Sequence, residues 1–267
     1  MAFKDQVGES YIENMKLKHS INPFSPEQTR KAIVVGNDGK SNIGHYITSK
    51  LLLDGYEVVS TFLYEDQDST SYHQKLNVAH VNGKFFQQHK DADTLVLCNG
   101  SSHMNWIEHQ NIAIINNTMN DVLIGSMNAT SEFVRATIDS SVPKYIVFIG
   151  SMAYKSVLNG SSVYCAAKAG LAHFMKCCAW ELAPKGYRVF CVHPSNTLGT
   201  PMTEETIRGL MRYRGLSREA AEAYWNGVVP MDHILSPGEI AQVVSELVSG
   251  RMDYMSGTNV ELAGGQR

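Results

Sequence analysis

The stretch AIVVGNDGKSNIGHY, residues 32–46, joins an apolar run to a helical pattern through a loop that contains three glycines. The apolar run ends at Gly36, as a buried strand that enters a turn would. The Gly-Lys-Ser tripeptide at 39–41 matches the end of a Walker A motif, but the first glycine of that motif would fall on Val34. The stretch therefore indicates a dinucleotide loop or a plain strand-to-helix turn, and it argues against a nucleoside triphosphatase.

The dinucleotide alternative depends on the helix that begins near Asn42. Free N–H groups at a helix N-terminus can receive a pyrophosphate, and Gly44 would let this helix pack close to a neighbouring strand. A plain turn would leave the same pattern, so the choice depends on residues further along the chain.

Short apolar runs alternate with helical patterns along the rest of the chain. The apolar runs predict strands at 31–36, 56–62, 76–81, 93–100, 144–151, 187–194 and 258–262. Helices are predicted at 42–55, 117–139 and 161–186, and another begins at 236–239. This alternation predicts a doubly wound α/β (Rossmann) fold, with a single parallel sheet of about seven strands and helices on both faces.

The predicted domain covers residues 31–267 and follows a polar N-terminal extension, residues 1–30, with a possible helix at 8–18 and a helix start at Ser25. Residues 195–235 break the alternation after the carboxyl end of a strand, and they carry several Met and aromatic side chains. Lids that cover a substrate occur at such places. We therefore predict a lid at about 195–235; a pair of surface helices is the plainer alternative.

Composition excludes several classes of partner. The net charge is −3 and no basic run is present, which argues against nucleic acid. The apolar runs are short and the N-terminus lacks the apolar core of a signal peptide, so no membrane partner is expected. The five cysteines and ten histidines show no zinc-motif spacing. We expect no metal site, free thiols and a cytoplasmic location.

A Tyr-x-x-x-Lys pair lies in the predicted helix 161–186. Tyr164 and Lys168 stand four residues apart, so both side chains project from one face of the helix. An ammonium near a phenol lowers the phenol pKa from about 10 toward neutrality, which would suit Tyr164 to give and take a proton. Ser151 follows a predicted strand, which brings its hydroxyl to the edge of the sheet where the glycine loop ends.

These residues resemble those of the short-chain dehydrogenase/reductase family, and the resemblance covers about residues 31–267. Ser151, Tyr164 and Lys168 match the family's catalytic motif in identity and spacing, and Asn120 matches the asparagine that completes its tetrad. The segments CNG (98–100), HPSNTLGTPM (193–202) and SGTNVELAGG (256–265) resemble its Asn-Ala-Gly turn, its Pro-Gly…Thr segment and its closing strand. The plainer alternatives are a backbone-bonded Asn120 and a strand-end cap at Ser151.

The resemblance implies a dinucleotide-binding catalytic domain, an NAD(P)-dependent oxidoreductase that interconverts a carbonyl and a secondary alcohol by hydride transfer. Tyr164 would be the general acid/base, and Ser151 would polarise the substrate oxygen. Lys168 would bind the nicotinamide ribose, and Asn120 would hold a relay water. The implied cofactor-binding residues are Gly36, Lys40, Ser41, Asn42, Ile43, Gly44, Asn99, Gly100, Tyr164, Lys168, Pro194 and Thr200. The alternative is a catalytically silent sensor of the dinucleotide with the same fold.

The chain departs from the family pattern in its first loop. Asn42 occupies the position of the middle glycine, and the loop is two residues longer. A longer loop resembles the enoyl-thioester reductase branch, but that branch spaces its Tyr and Lys further apart than Tyr164 and Lys168, which favours the main branch.

The sequence favours NADP(H) over NAD(H). The second strand ends near Phe62 without the acidic residue that binds NAD ribose, although Glu65 and Asp66 follow, and Lys40 would attract a 2′-phosphate. A small-molecule carbonyl or alcohol substrate and a homodimer or homotetramer built through the two long helices are implied by the resemblance. The lid's Met and aromatic side chains suggest a substrate that is at least partly apolar.

Overall fold

The structure is a computed structural model that describes residues 29–37, 39, 42–62, 73–77, 81 and 83–266. Seven strands run through these segments: β1 Lys31–Val35, β2 Glu57–Phe62, β3 His73–Lys75, β4 Thr94–Leu97, β5 Lys144–Ile149, β6 Tyr187–Pro194 and β7 Asn259–Leu262. All of them pair in parallel in the order β3-β2-β1-β4-β5-β6-β7. The predicted doubly wound fold is confirmed.

Helices connect the strands. In the described segments they are α1 Ile43–Leu53, α2 Gly83–Gln88, α3 Ile112–Met119, α4 Gly125–Thr137, α5 Ser162–Leu182, α6 Pro201–Arg214, α7 Arg218–Asn226 and α8 Pro237–Val248. A π-helical turn, Asn120–Ile124, joins α3 to α4. None of these helices combines the length and the apolar character that a bilayer-spanning helix requires.

The centre of the sheet is buried on both faces because β1, β4, β5 and β6 are mostly apolar. In β1, Ile33 and Val35 join a core that includes side chains of α2, α4 and α5. Ala32 and Val34 point the other way, into a core shared with α1 and α8. A strand presents alternate residues to opposite faces, so a continuous apolar run is what a sheet covered on both sides requires.

The strand order places the ends of β1 and β4 side by side. The chain continues from β1 to β2 on one side and from β4 to β5 on the other, so the order reverses between β1 and β4. In open α/β sheets the crevice for a ligand lies outside the carboxyl ends of the strands at this reversal. Gly36 follows β1 directly, and Asn99 is the second residue after β4.

Two predicted boundaries are wrong. The third strand is His73–Lys75 and not 76–81, because the polar residues pair with Ser60–Phe62 and the pairing ends where Leu76 begins to pack on the core. The long helical segment begins at Ile112 and not at 117. Asn111 starts it, since the Asn111 side chain accepts a hydrogen bond from Ile114 N at 3.0 Å.

The predictions for residues 8–18 and Ser25 lie outside the described residues. Arg30, the last residue of the predicted extension, is joined to the domain. Its guanidinium forms an ion pair with Asp93 at 2.6 Å and lies over the Tyr56 and Tyr145 rings.

Candidate active site

The loop after β1 packs backbone against backbone. Gly36 has a φ of 88°, and a Cβ at this position would lie 2.8 Å from Asn99 N. A Cβ at Gly44 would lie 2.4 Å from the Gly36 carbonyl oxygen. No side chain fits at either position without moving the backbone, so both glycines are required for the first turn of α1 to approach β1 and β4 this closely.

Asn42 closes this loop with its side chain. Its Oδ1 accepts a hydrogen bond from His45 N at 2.9 Å, which caps α1, and its Nδ2 donates to the Gly36 carbonyl at 3.3 Å. The departure from glycine at this position therefore has a structural reason, because one amide joins the start of the loop to the start of the helix. Lys40 and Ser41, predicted to bind the cofactor, lie outside the described residues.

Ser151, Tyr164 and Lys168 come together at the carboxyl end of β5. Tyr164 and Lys168 lie on the buried face of α5, where the Lys168 Nζ donates to the Ile149 carbonyl at 2.8 Å. The Tyr164 hydroxyl lies 3.7 Å from the Met202 sulfur, and the nearby Ser151 side chain acts to lower the pKa of the phenol. Ser151 Oγ also accepts from Ala153 N at 3.1 Å, so Ser151 is a cap as well as a neighbour of the phenol.

Tyr164 and Lys168 are only 8% and 4% exposed to solvent, and this burial dominates the pKa values of both side chains. Burial raises the pKa of Tyr164 to about 12 and lowers the pKa of Lys168 to about 8, because each charged form loses its hydration. The expected fall of the Tyr164 pKa toward neutrality is wrong for this arrangement. The Lys168 Nζ lies 5.6 Å from the Tyr164 ring centroid, and desolvation of the phenolate is the largest influence on the Tyr164 pKa.

Asn99 ties the end of β4 to the π-helical turn. Its Nδ2 donates to the Asp121 carbonyl and, at 3.1 Å, to Ser126 Oγ. The turn begins at Asn120, whose carbonyl accepts from Gly125 N. Such turns within α-helices are often found at functional sites. Asn120 itself does not line the cavity described below, so among the predicted catalytic residues it is the one that the structure leaves apart.

His193 is a buried neighbour of Ser151 that the sequence reasoning missed. The Ser151 N–H donates to His193 Nδ1 at 3.2 Å, and the Nε2 lies 3.1 Å from Asn259 Oδ1. Its ring stacks on Tyr154 with 3.9 Å between centroids. Burial lowers the pKa of His193, which favours the neutral ring. The only sequence signal was its position in β6, directly before Pro194.

One cavity of about 560 Å³ joins these parts. Eleven of the predicted site residues line it: Gly36, Asn42, Ile43, Gly44, Asn99, Gly100, Ser151, Tyr164, Lys168, Pro194 and Thr200. Thr200 also caps α6, since its hydroxyl accepts from Thr203 N at 3.2 Å. The glycine loop and the Ser151–Tyr164–Lys168 cluster thus face the same space.

The segment 195–235, which we call the lid segment, forms another wall of this cavity. It folds into α6 and α7, with Ile207, Leu210 and Ala221 as a small core of their own. α6 rests on Met104, since a Cβ at Gly209 would lie 2.7 Å from the Met104 sulfur.

Groups of three or more potential metal ligands are absent from the described part of the chain.

Comparison with known proteins gives a family. The family model described as enoyl-(acyl carrier protein) reductase matches residues 38–267. Human (3R)-3-hydroxyacyl-CoA dehydrogenase is 29% identical over 143 residues, 54% of this chain and 50% of that protein, so the match spans about half of that relative's length. The 3-oxoacyl-(acyl-carrier-protein) reductase of Buchnera aphidicola is 24% identical over 240 residues, 84% of this chain and 92% of that protein.

Solved structures share the fold. A protein from Agrobacterium tumefaciens, described as a 2-deoxy-D-gluconate 3-dehydrogenase with bound NADP, superposes with a TM-score of 0.79 at 23% identity, covering 91% of this chain and 98% of that one. The 3-oxoacyl-(acyl-carrier protein) reductase of Brucella melitensis, in complex with NAD, gives a TM-score of 0.75 at 22% identity, covering 90% and 97%.

Proposed function

The chain belongs to the short-chain dehydrogenase/reductase family, and we propose that it is an NAD(P)-dependent oxidoreductase that interconverts a carbonyl and a secondary alcohol. One observation carries the proposal: a glycine loop built for close backbone approach and a buried Ser-Tyr-Lys cluster line the same cavity. A ligand that spans this cavity would touch both. The four-residue step from Tyr164 to Lys168 favours carbonyl reduction over enoyl reduction.

The residues of the site fit a nicotinamide dinucleotide. A Cβ at Gly36 would meet the backbone of Asn99, and a Cβ at Gly44 would meet the Gly36 carbonyl, so the two glycines keep the loop, β4 and α1 close together. The capped N-terminus of α1 offers N–H groups to a pyrophosphate. Ile43 and Asn99 would flank the dinucleotide, and Pro194 and Thr200 would lie toward its nicotinamide end. When bound, the nicotinamide supplies or accepts the hydride.

Tyr164 holds the proton for the reaction. Its phenol is protonated at neutral pH, because burial raises its pKa to about 12. In the reducing direction it donates this proton to the substrate oxygen, and Ser151 donates a second hydrogen bond to the same oxygen. Both hydroxyls lie in a cavity wall, so a carbonyl oxygen placed between them would be polarised from two sides.

Lys168 assists this proton transfer through its charge and its hydrogen bonds. It is buried with its Nζ on the Ile149 carbonyl, and a Cβ at Gly100 would lie 3.7 Å from that Nζ. The remaining N–H donors of Lys168 would bind the ribose hydroxyls, and its charge stabilises the phenolate that forms when Tyr164 gives up its proton. Asn120 would hold a water that connects Lys168 with solvent.

The preference for NADP(H) over NAD(H) is part of the proposal. Thr61 and Phe62, at the carboxyl end of β2, carry no carboxylate that would repel a 2′-phosphate. Lys40 would attract that phosphate; Glu65 and Asp66, which also lie outside the described residues, would oppose it. A titration that gives a lower Kd for NADPH than for NADH, with the difference reduced in Lys40→Ala, supports the preference; equal Kd values contradict it.

Assembly and location complete the proposal. The family resemblance favours a homodimer or homotetramer in which α4 and α5 pack against a second copy. The five cysteines form no disulfide, which agrees with a reducing cytoplasm. The segment 195–235 would act as the lid over a small-molecule carbonyl or alcohol substrate.

The test uses the purified full-length chain with NADPH and a panel of ketones and 3-oxoacyl thioesters. We expect NADPH oxidation that Tyr164→Phe lowers by about a thousandfold while NADPH still binds. The matched control is Tyr154→Phe, which loses a hydroxyl outside the cavity and keeps the ring against His193. Equal turnover by wild type and Tyr164→Phe would remove the proposed role of Tyr164. Tight NADPH binding without any turnover would favour the sensor alternative.

A further inference from the structure

One face of α6 runs along the cavity from the reacting end to its far end. Met202, Thr206, Leu210 and Arg214 all line the cavity. They are spaced by four residues, so their side chains form a single ridge on the helix. Met202 touches the Tyr164 hydroxyl at 3.7 Å. Arg214 lies twelve residues further along, or about 18 Å at 1.5 Å per residue.

The ridge changes its chemistry along this length. The methionine sulfur lies at the reacting end, a threonine hydroxyl and a leucine follow, and the guanidinium lies at the far end. Met152, Val157 and Leu158 add apolar side chains to the cavity lining, which also includes polar ones such as Ser156 and Asn159. A channel wall that runs from the methionine past Leu210 to a positive charge matches a ligand with an apolar middle and a negative end.

Arg214 has no carboxylate partner among the described residues. In contrast, the neighbouring Arg208 and Arg218 both pair with Glu204, at 3.2 Å and 2.8 Å. The guanidinium of Arg214 lies 4.7 Å from the centroid of the Tyr224 ring, which also lines the cavity. Stacking on an aromatic face orients a guanidinium and leaves its edge donors open for a carboxylate or phosphate.

A cation in the last turn of a helix is favourable without any ligand. Arg212 provides the comparison, since it lies in the same last turn, has no carboxylate partner among the described residues and does not line the cavity. The helix end therefore accounts for two arginines, but it does not account for the position of one of them at the end of the channel.

We propose that the substrate is an elongated carbonyl compound whose carbonyl reacts at Tyr164, whose apolar middle lies along Leu210 and whose anionic end binds Arg214. The anionic group is a carboxylate or a phosphate. This inference rests on the proposed function, because it takes Tyr164 as the reacting end. The distance along α6 sets the length, so compact ketones bind only the reacting end.

The experiment is a length series of methyl-ketone carboxylates, from 5-oxohexanoate to 13-oxotetradecanoate, with the methyl ester of each acid. NADPH oxidation by the full-length chain is measured for wild type, Arg214→Ala, Arg214→Lys and Arg212→Ala. We expect kcat/KM to rise with length for the acids and to exceed that of the esters by about tenfold at the best length. A methyl ketone of that length with a terminal phosphate monoester tells which anion is preferred.

Arg214→Ala should remove the advantage of the long acids over their esters, mostly through KM, and Arg214→Lys should restore part of it. Arg212→Ala should keep the full advantage. If Arg214→Ala leaves the advantage intact, or if acids and esters never differ while Tyr164-dependent turnover persists, the inference is overturned and the proposed function stands.

A binding experiment tests the anion site for the outcome in which the protein turns over no carbonyl compound. Titration of the NADPH complex with 13-oxotetradecanoate and its methyl ester, followed by calorimetry, measures affinity without chemistry. If no carbonyl is turned over, the proposed function fails. A tighter binding of the acid that Arg214→Ala abolishes would then still support the anion site, and equal binding of acid and ester would overturn it.

Discussion

The Ser151–Tyr164–Lys168 cluster and the lid segment line the same cavity but are held in very different ways. Tyr164 belongs to the large core between α5 and the sheet, in which most side chains are fully buried. The lid segment has a small core of its own and meets the two main cores only at their edges, through Met202 and Leu235. The bridge between Thr197 and Leu235 holds its two ends together. Asn196 adds a bond within the lid segment, to the Trp225 carbonyl.

This difference separates two kinds of function. Groups that transfer a proton must be held in fixed geometry, and strand ends and a buried helix face provide that. Segments with little buried apolar contact open at a lower free energy and tolerate change, so they suit the choice of substrate. Substitutions in the cluster should therefore act mainly on kcat, and substitutions in the lid segment mainly on KM.

The largest effect should come from Lys168→Met. The variant keeps most of the length of the side chain but removes the charge that we propose stabilises the Tyr164 phenolate, so kcat should fall by about a thousandfold. The thermal midpoint should stay within a few degrees of wild type, because an apolar side chain fits a buried site. Steady-state kinetics and thermal unfolding of the same samples check both. An unchanged kcat would separate Lys168 from the chemistry.

The pH profile gives an independent check on the same residue. Burial lowers the pKa of Lys168 to about 8, so its charge is present below that pH and is lost as the pH rises through it. Carbonyl reduction by wild type should therefore decline above about pH 8, whereas the phenol of Tyr164, with its pKa raised to about 12, stays protonated. The residual rate of Lys168→Met should lack this decline. A decline of equal size in the variant would point to another group.

A smaller effect should follow from His193→Leu. The substitution removes the acceptor of the Ser151 N–H and leaves Asn259 without its ring partner, so Ser151 loses a fixed position. We expect kcat to fall by about tenfold with little change in the Kd for NADPH, together with a loss of stability of about 1–3 kcal/mol. A stability loss with unchanged kcat would make His193 a packing residue only.

The smallest effect should come from Gly209→Ala in the lid segment. The added Cβ would lie 2.7 Å from the Met104 sulfur, which is the flexible end of a side chain and can move. KM should rise a few-fold, and kcat and the thermal midpoint should hardly change. The double variant with Met104→Ala should recover most of the wild-type KM, since the sulfur contact is then absent and only the Cβ of residue 104, at 3.1 Å, remains. A loss of kcat comparable to that of His193→Leu would mean that the lid segment also positions the cluster.

The fold was predictable from the sequence because its signals are local. These signals depend on residues that are close in sequence: the apolar run of β1, the glycine after it and the alternation of strands with helices. The third strand was misplaced because His73–Lys75 is polar and forms a strand only by pairing with β2. The helix start at Asn111 was not predicted, because an asparagine before an apolar residue is common in loops and caps a helix only when its side chain meets the N–H three residues on, as it does with Ile114.

The candidate site was only partly predictable. The spacing of Tyr164 and Lys168 on one helix face is local, so their shared position follows from the sequence, and Ser151 follows from the strand before it. The amide bridge made by Asn42, the contact of His193 with Ser151 and the far-end position of Arg214 depend on elements that are distant in the chain. The roles of these residues in the reaction stay predictions.

By itself the sequence determined the parallel sheet, the glycine loop and the residues that meet at the end of β5, since periodicity and spacing fix which side chains share a strand end or a helix face. Only the tertiary structure decided the electrostatics and the shape of the site. Burial raised the pKa of Tyr164 where the sequence suggested a fall, because desolvation depends on every element packed around the phenol. The packing of α6 along the cavity decided which of two neighbouring arginines lines it.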